Sequence, residues 1–207
     1  MNPVVRVGDT VRRQLGPWSP GVHALLRHLR TAGFRAAPEL LGEDDRGREV
    51  LGFIQGEIAH HADPKFLWSD GTLELAGRTL REFHDAQRGF RPPWGVAWSP
   101  IGREPDGVPE LICHNDFAPY NCVCRSGDLV AMIDFDLCAP GSRAWDLAWT
   151  AITWVPLFDP ADVRGAEIGF DIPRRLRQLA DAYGFPDRAA LVEKVRRRID
   201  HFLAVSE

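Results

Sequence analysis

Between positions 114 and 136, His114, Asp116, Asn121, Asp134 and Asp136 combine residue types and spacings that could do chemistry. They lie in the stretch LICHNDFAPYNCVCRSGDLVAMIDFD, residues 111–136. Asn121 to Arg125 reads as a short extended run, Ser126-Gly127-Asp128 as a turn and Leu129 to Ile133 as a second apolar run, which makes an antiparallel hairpin. Folding about Gly127 sets Asn121 opposite about residue 133 and brings Asp134 beside it at the open end. Asp116 precedes Asn121 in a loop containing Pro119, and such a loop can carry a second carboxylate to the same end without joining the ladder. Asp136 stands two residues beyond Asp134. A carboxamide oxygen with one or two carboxylates suits a hard cation such as Mg2+, which keeps several waters and shares its coordination with substrate phosphates. A carboxylate left over can orient a nucleophile. Any one of these acids alone is an ordinary solvated turn former; the combination carries the information.

His114, Asp116 and Asn121 follow the pattern HxDxxxxN, and Asp134 opens an Asp-Phe-Asp thirteen positions after Asn121. This spacing lies close to a kinase catalytic loop and its metal aspartate. With HNDFAPYN, MIDFD and GSRAWDLAW together, residues 111–149 resemble the aminoglycoside phosphotransferase and choline kinase superfamily. The resemblance implies a catalytic base at Asp116, Mg2+ held by Asn121 and Asp134, and ATP or GTP as phosphate donor. It makes His114 a buried buttress of the loop. Asp136 supports a second ion or orients the loop, with a purely structural role equally open. Asp146, in Trp145-Asp146-Leu147-Ala148, resembles the acid that ties its helix to the catalytic loop; the plain alternative is a helix N-terminal charge.

The elements that must position these residues fall into two groups. Up to residue 54 the chain reads as strands around one helix: PVVRV and TVRRQ flank a Gly8-Asp9 hairpin turn, and Ser19-Pro20 caps a helix with Val22, Leu25, Leu26 and Leu29 on one face. Glu39 to Glu43 and Arg48 to Ile54 form a second hairpin about Asp44 to Gly47. From residue 55 the pattern is helical, with an apolar face at Leu73, Ala76, Leu80 and Phe83 and helix starts at Ser142, Asp159-Pro160, Asp171 and Asp187. The expected fold is α+β, a two-lobed protein-kinase-like arrangement with a small strand-rich N-lobe (1–54) and a larger helical C-lobe (55–207).

The first lobe departs from the family pattern. No Gly-rich phosphate cover is present, and Arg13 stands where the family has its lysine. The helix from Pro20 offers no glutamate, His23 being its nearest polar residue, so the Lys to Glu pair is expected to be missing. Arg13 either grips phosphate bidentately or belongs to a solvated strand face with Arg12. By position alone, Phe53, Ile54 and Gln55 face the purine.

Other clusters carry less. His60-His61 with Asp63 reads as a solvated loop, His84 as packed structure, and Cys122 and Cys124 as core or nucleotide-pocket residues. Arg196, Arg197 and Arg198 read as a solvated helix face. Trp154, Asp159, Asp162, Glu167 and Asp171 suit a cationic hydroxylated acceptor or are simply helix caps. Across 207 residues, 25 Lys+Arg against 29 Asp+Glu give a net charge of −4, which lacks the basic excess of a nucleic-acid binder. No apolar run approaches a membrane span and no signal-peptide pattern opens the chain, so a cytoplasmic protein is expected. The expected activity is Mg2+-dependent transfer of a nucleotide γ-phosphate to a small-molecule hydroxyl. Two alternatives remain, a degenerate kinase-like binder without turnover and a metal-dependent hydrolase.

Overall fold

The computed structural model describes residues 4–157, 163–165 and 168–206. Strands β1 (Val5–Val7) and β2 (Thr10–Gln14) join through Gly8, whose φ of 60° suits a tight hairpin turn. Helix α1 (Ser19–Thr31) buries Val22, Leu25, Leu26 and Leu29, as their spacing predicts. Ser19 is not its cap. Trp18 precedes the helix, and the Ser19 hydroxyl accepts from the Gly16 N–H at 2.8 Å, closing the turn that leads in. Strands β3 (Leu40–Glu43) and β4 (Arg48–Gly52) complete a sheet ordered β1-β2-β4-β3. β4 ends two residues before Ile54, because the Phe53 N–H turns to the Asp9 carbonyl. Arg13 sits directly opposite Glu49 in the β2–β4 ladder.

A short strand β5 (Glu57–Ile58) and turn helix α2 (Pro64–Leu67) lead into α3 (Asp70–Ala86), capped by the Ser69 hydroxyl on the Thr72 N–H. Asp63 caps α2, and His60 and His61 are exposed. Strand β6 (Leu111–Cys113) is followed by the hairpin β7 (Cys122–Arg125) and β8 (Asp128–Met132), then by β9 (Ala139–Gly141), which pairs with β6. β5, β7 and β8 form one small sheet. Helices α4 (Arg143–Trp154), α5 (Ile172–Tyr183) and α6 (Arg188–Ser206) close the chain. Ser142 caps α4 and Asp171 caps α5, so Asp171 is accounted for by the fold. This is the α+β, kinase-like arrangement that the sequence implies.

One apolar core runs through these elements, with Leu25, Leu29, Leu73, Phe83, Met132, Leu147 and Leu179 fully buried. Trp154 belongs to that core, donating to the Phe117 carbonyl at 3.1 Å, and faces no acceptor. Asp159, Asp162 and Glu167, and the helix start at Asp159-Pro160, lie outside the described residues. The four cysteines are buried free thiols, including Cys122 and Cys124. Arg198 also contradicts expectation: it is buried, 4% exposed, while Arg196 and Arg197 face solvent. No helix among the described residues is long and apolar enough to cross a membrane.

α3 packs closely on α5 at Gly77, where an added Cβ would lie 2.8 Å from the Ala182 Cβ and 3.2 Å from the Leu179 carbonyl. The absence of a side chain sets the helix separation. Gly77→Leu is therefore expected to lower stability by about 1–3 kcal/mol through overpacking, read as a reduced urea midpoint with an unchanged slope.

Candidate active site

The loop between β6 and β7 is shaped by Asp146, in the first turn of α4 and fully buried. Its carboxylate accepts the His114 and Asn115 N–H groups, each at 2.7 Å, and the His84 imidazole at 3.0 Å. These bonds hold its pKa low against the opposing effect of burial. His84 is held neutral: burial depresses its pKa, and its other nitrogen meets the Tyr183 hydroxyl at 2.7 Å. Asn115 then takes φ 65°, a left-handed conformation that asparagine tolerates, and its amide donates to the Leu137 carbonyl at 3.0 Å. The fully buried His114 donates from Nε2 to the Ile133 carbonyl at 3.2 Å, while its Nδ1 accepts the Asp116 N–H at 3.3 Å. That imidazole spans from the loop to the end of the hairpin.

Asp116 therefore emerges at a fixed place. Its Oδ1 accepts from the Tyr120 hydroxyl at 2.6 Å and the Trp149 Nε1 at 3.2 Å, and its Oδ2 from the Asn121 amide at 2.7 Å. Burial raises its pKa, partly countered by the Tyr120 bond. Asn121 ends a 3-10 turn, Pro119–Asn121, and does not belong to the strand the sequence suggests. Its carbonyl still accepts the Ile133 N–H at 2.8 Å, so it faces the end of β8 as the hairpin argument requires. With its amide nitrogen committed to Asp116, its side-chain oxygen is the atom left for a cation. Asp134 follows at φ 63° and is exposed.

Helix α1 carries no glutamate, as expected, but Arg13 nonetheless has an acidic partner from another element. Arg13 Nε donates to Glu49 Oε1 at 2.7 Å, and the Glu49 Oε2 lies 2.8 Å from His23 Nε2. The glutamate comes from the neighbouring strand, and a histidine on α1 stands behind it. Two further bonds run from the Arg13 fork to Asp134 at 3.0 Å and Asp136 at 2.8 Å. Glu49 is 2% exposed and stays ionised because the His23 and Arg13 bonds outweigh its burial. Burial raises the Asp136 pKa, opposed by Arg13.

Two clefts meet here. The first, about 360 Å³, is walled by Phe53, Ile54, Arg13, Val123, Asn121 and Asp134. The second, about 250 Å³, is walled by Asp116, Tyr120, Trp149, Arg198 and His201. Asp116 borders only the second, Asn121 and Asp134 only the first, and the Asn121 to Asp116 bond joins them. Among the described residues no group of three or more His, Cys, Asp or Glu could hold a metal by itself. One carboxamide and one carboxylate are still a fitting donor set for Mg2+, which takes its remaining ligands from water and phosphate. Sequence reasoning missed Glu49, Tyr120, Trp149 and Arg198.

A sequence model of the phosphotransferase enzyme family matches residues 96–191. The trifolitoxin immunity protein of Rhizobium leguminosarum bv. trifolii is 37% identical over 199 residues, which cover 93% of this chain and 75% of that one. The chain belongs to the phosphotransferase enzyme family. Solved structures of kinases share the fold of this family member at low identity. The ethanolamine kinase of Plasmodium vivax has a TM-score of 0.58 at 12% identity, over 98% of this chain and 72% of that one. The aminoglycoside phosphotransferase of Streptomyces rimosus, bound to ADP and streptomycin, has a TM-score of 0.57 at 16% identity, over 94% and 87%.

Asp146→Asn turns an acceptor into a donor facing buried N–H groups, and is expected to cost about 3 kcal/mol in denaturant unfolding. His84, whose folded pKa lies below its unfolded value near 6.5, contributes stability that is complete above that value and lost as pH falls. Thermal midpoints should therefore drop between pH 7 and pH 5. In His84→Gln, which keeps a donor for Asp146, that drop should be smaller.

Proposed function

We propose that this family member is a Mg2+-dependent phosphotransferase that moves the γ-phosphate of ATP or GTP to a hydroxyl of a small molecule. The observation that carries it is the division of labour across the Asn121 to Asp116 bond: the candidate base borders one cleft, the candidate metal ligands the other. In this reading residues 1–54 form the lobe that covers the nucleotide and 55–207 the lobe that carries the chemistry. Phe53 and Ile54 line the base, and the Arg13 fork, held at Nε by Glu49, exchanges its bonds to Asp134 and Asp136 for phosphate oxygens when the nucleotide binds. Asn121 and Asp134 would hold Mg2+, with Asp136 beside them, and when bound the ion would supply charge neutralisation at the phosphates.

The acceptor oxygen attacks the γ-phosphorus, its proton passes to Asp116, and the bond to the bridging oxygen breaks as the nucleoside diphosphate leaves. The raised pKa of Asp116 makes it a better proton acceptor than an exposed carboxylate. His114 and Asp146 position the loop and touch no substrate. The relative's role in trifolitoxin immunity extends the proposal: the acceptor is a toxic compound and its phosphorylation disarms it.

A binding-only reading draws support from the two-residue turn between β1 and β2, which offers no Gly-rich cover for phosphates. Acceptor-dependent release of ADP or GDP separates the readings. Asp116→Asn is expected to lower kcat by about 10²–10⁴ while Mg2+ and nucleotide still raise the thermal midpoint. Stabilisation by nucleotide with no transfer to any acceptor would leave the binding-only reading.

A further inference from the structure

The second cleft has a chemistry of its own. Its basic wall is Arg198 and His201, and among the described residues lining it Asp116 is the one carboxylate. Arg198 donates to the carbonyls of Gly102 at 3.4 Å and Asn115 at 3.2 Å, and keeps a buried Nε–H without an acceptor. Burial lowers its pKa only to about 10, so it stays charged at neutral pH. Its guanidinium lies 4.4 Å from the ring centre of Trp145 and 5.2 Å from that of Trp149. The rest of the wall is Asn115, whose buried side-chain oxygen has no hydrogen-bond partner, with aromatic or aliphatic residues that include Tyr120, Ile101 and Leu137.

A second observation concerns the place an acceptor hydroxyl must occupy. The Tyr120 phenol already lies there, donating to Asp116 Oδ1 at 2.6 Å. Its side chain is at the surface, 44% exposed, so an acceptor hydroxyl reaches Asp116 by displacing it. The cleft thus accommodates an aromatic hydroxyl against the base.

Aromatic walls also attract ammonium groups. Here, however, the Arg198 guanidinium lies against Trp149, a wall of the cleft, and against buried Trp145 behind it, and a second cation a few ångströms away in a poorly hydrated wall meets repulsion. We infer that the acceptor is a neutral or anionic alcohol or phenol on a flat apolar body, and not an aminoglycoside or choline-like amine. This rests on the phosphotransferase reading and narrows it. An anionic tail would balance Arg198 and give its Nε–H a partner. A cleft of about 250 Å³ is small for a ligand site and suits one ring with a short tail. The transfer step is the one given above, with the acceptor O–H losing its proton to Asp116.

Three phenols differing in the charge of the tail test this: 4-hydroxyphenylacetate (anionic), 4-ethylphenol (neutral) and tyramine (cationic). Each, and streptomycin, is titrated calorimetrically into the full chain with Mg2+ and ADP present. The anionic and neutral phenols are expected to bind at least tenfold tighter than tyramine, and streptomycin not at all. Arg198→Met should bring the anionic phenol down to the neutral one. Because Arg198 also holds two loop carbonyls and its loss can unfold the chain, His201→Asp at the partly exposed rim serves as the second variant. It should narrow the gap to tyramine severalfold. Tyramine or streptomycin binding as tightly as the anionic phenol while ADP still binds, or neither favoured phenol binding, overturns the acceptor class alone. Failure of Mg2+ and ADP to bind overturns the phosphotransferase reading itself.

Discussion

A single buried carboxylate, Asp146, sets the geometry on which the rest depends. It is fully buried, and its charge is supported by two backbone N–H groups, one imidazole and the N-terminal turn of α4. Those N–H groups belong to the residues immediately before Asp116, so satisfying the acid fixes the backbone that presents it. The left-handed Asn115 then redirects the chain, and His114 clamps it to the end of β8. Bonds made in the buried interior thus determine where Asp116 stands.

The two clefts follow from that placement. Asn121 faces both ways, its nitrogen bound to Asp116 and its oxygen left for the first cleft, so one side chain fixes the separation between the candidate base and the first cleft. Trp149, on the same helix as Asp146, donates to Asp116 from the opposite side. A carboxylate held from three directions has little rotational freedom left, and positioning is most of what phosphoryl transfer asks of a protein.

What the sequence made legible was local. The hairpin about Gly127, the helix faces at Leu25 and Leu80, and the caps at Ser142 and Asp171 all follow from short-range pattern, and the structure bears them out. The role of Asp146 as the tie between α4 and the loop came through resemblance. Glu49 did not emerge, because its pairing with Arg13 depends on which strands become neighbours, and α1 and β3 lie between β2 and β4 in the chain. Arg198 carried a usable signal that its neighbours Arg196 and Arg197 obscured. It lies seven residues after buried Leu191 and three after buried Val195, and so falls on the inward stripe of α6. Tyr120 had no such signal, since a loop residue's direction is set by the tertiary structure alone.

The Arg13 to Glu49 pair has a consequence for control. In protein kinases the corresponding ion pair joins a strand to a movable helix, and swinging that helix away switches the enzyme off. Here both partners sit on adjacent strands of one sheet, in direct register. A ladder of backbone hydrogen bonds holds the two residues opposite each other, so the pair forms as the sheet forms. Their contact is therefore set by the sheet itself and does not vary with the placement of α1.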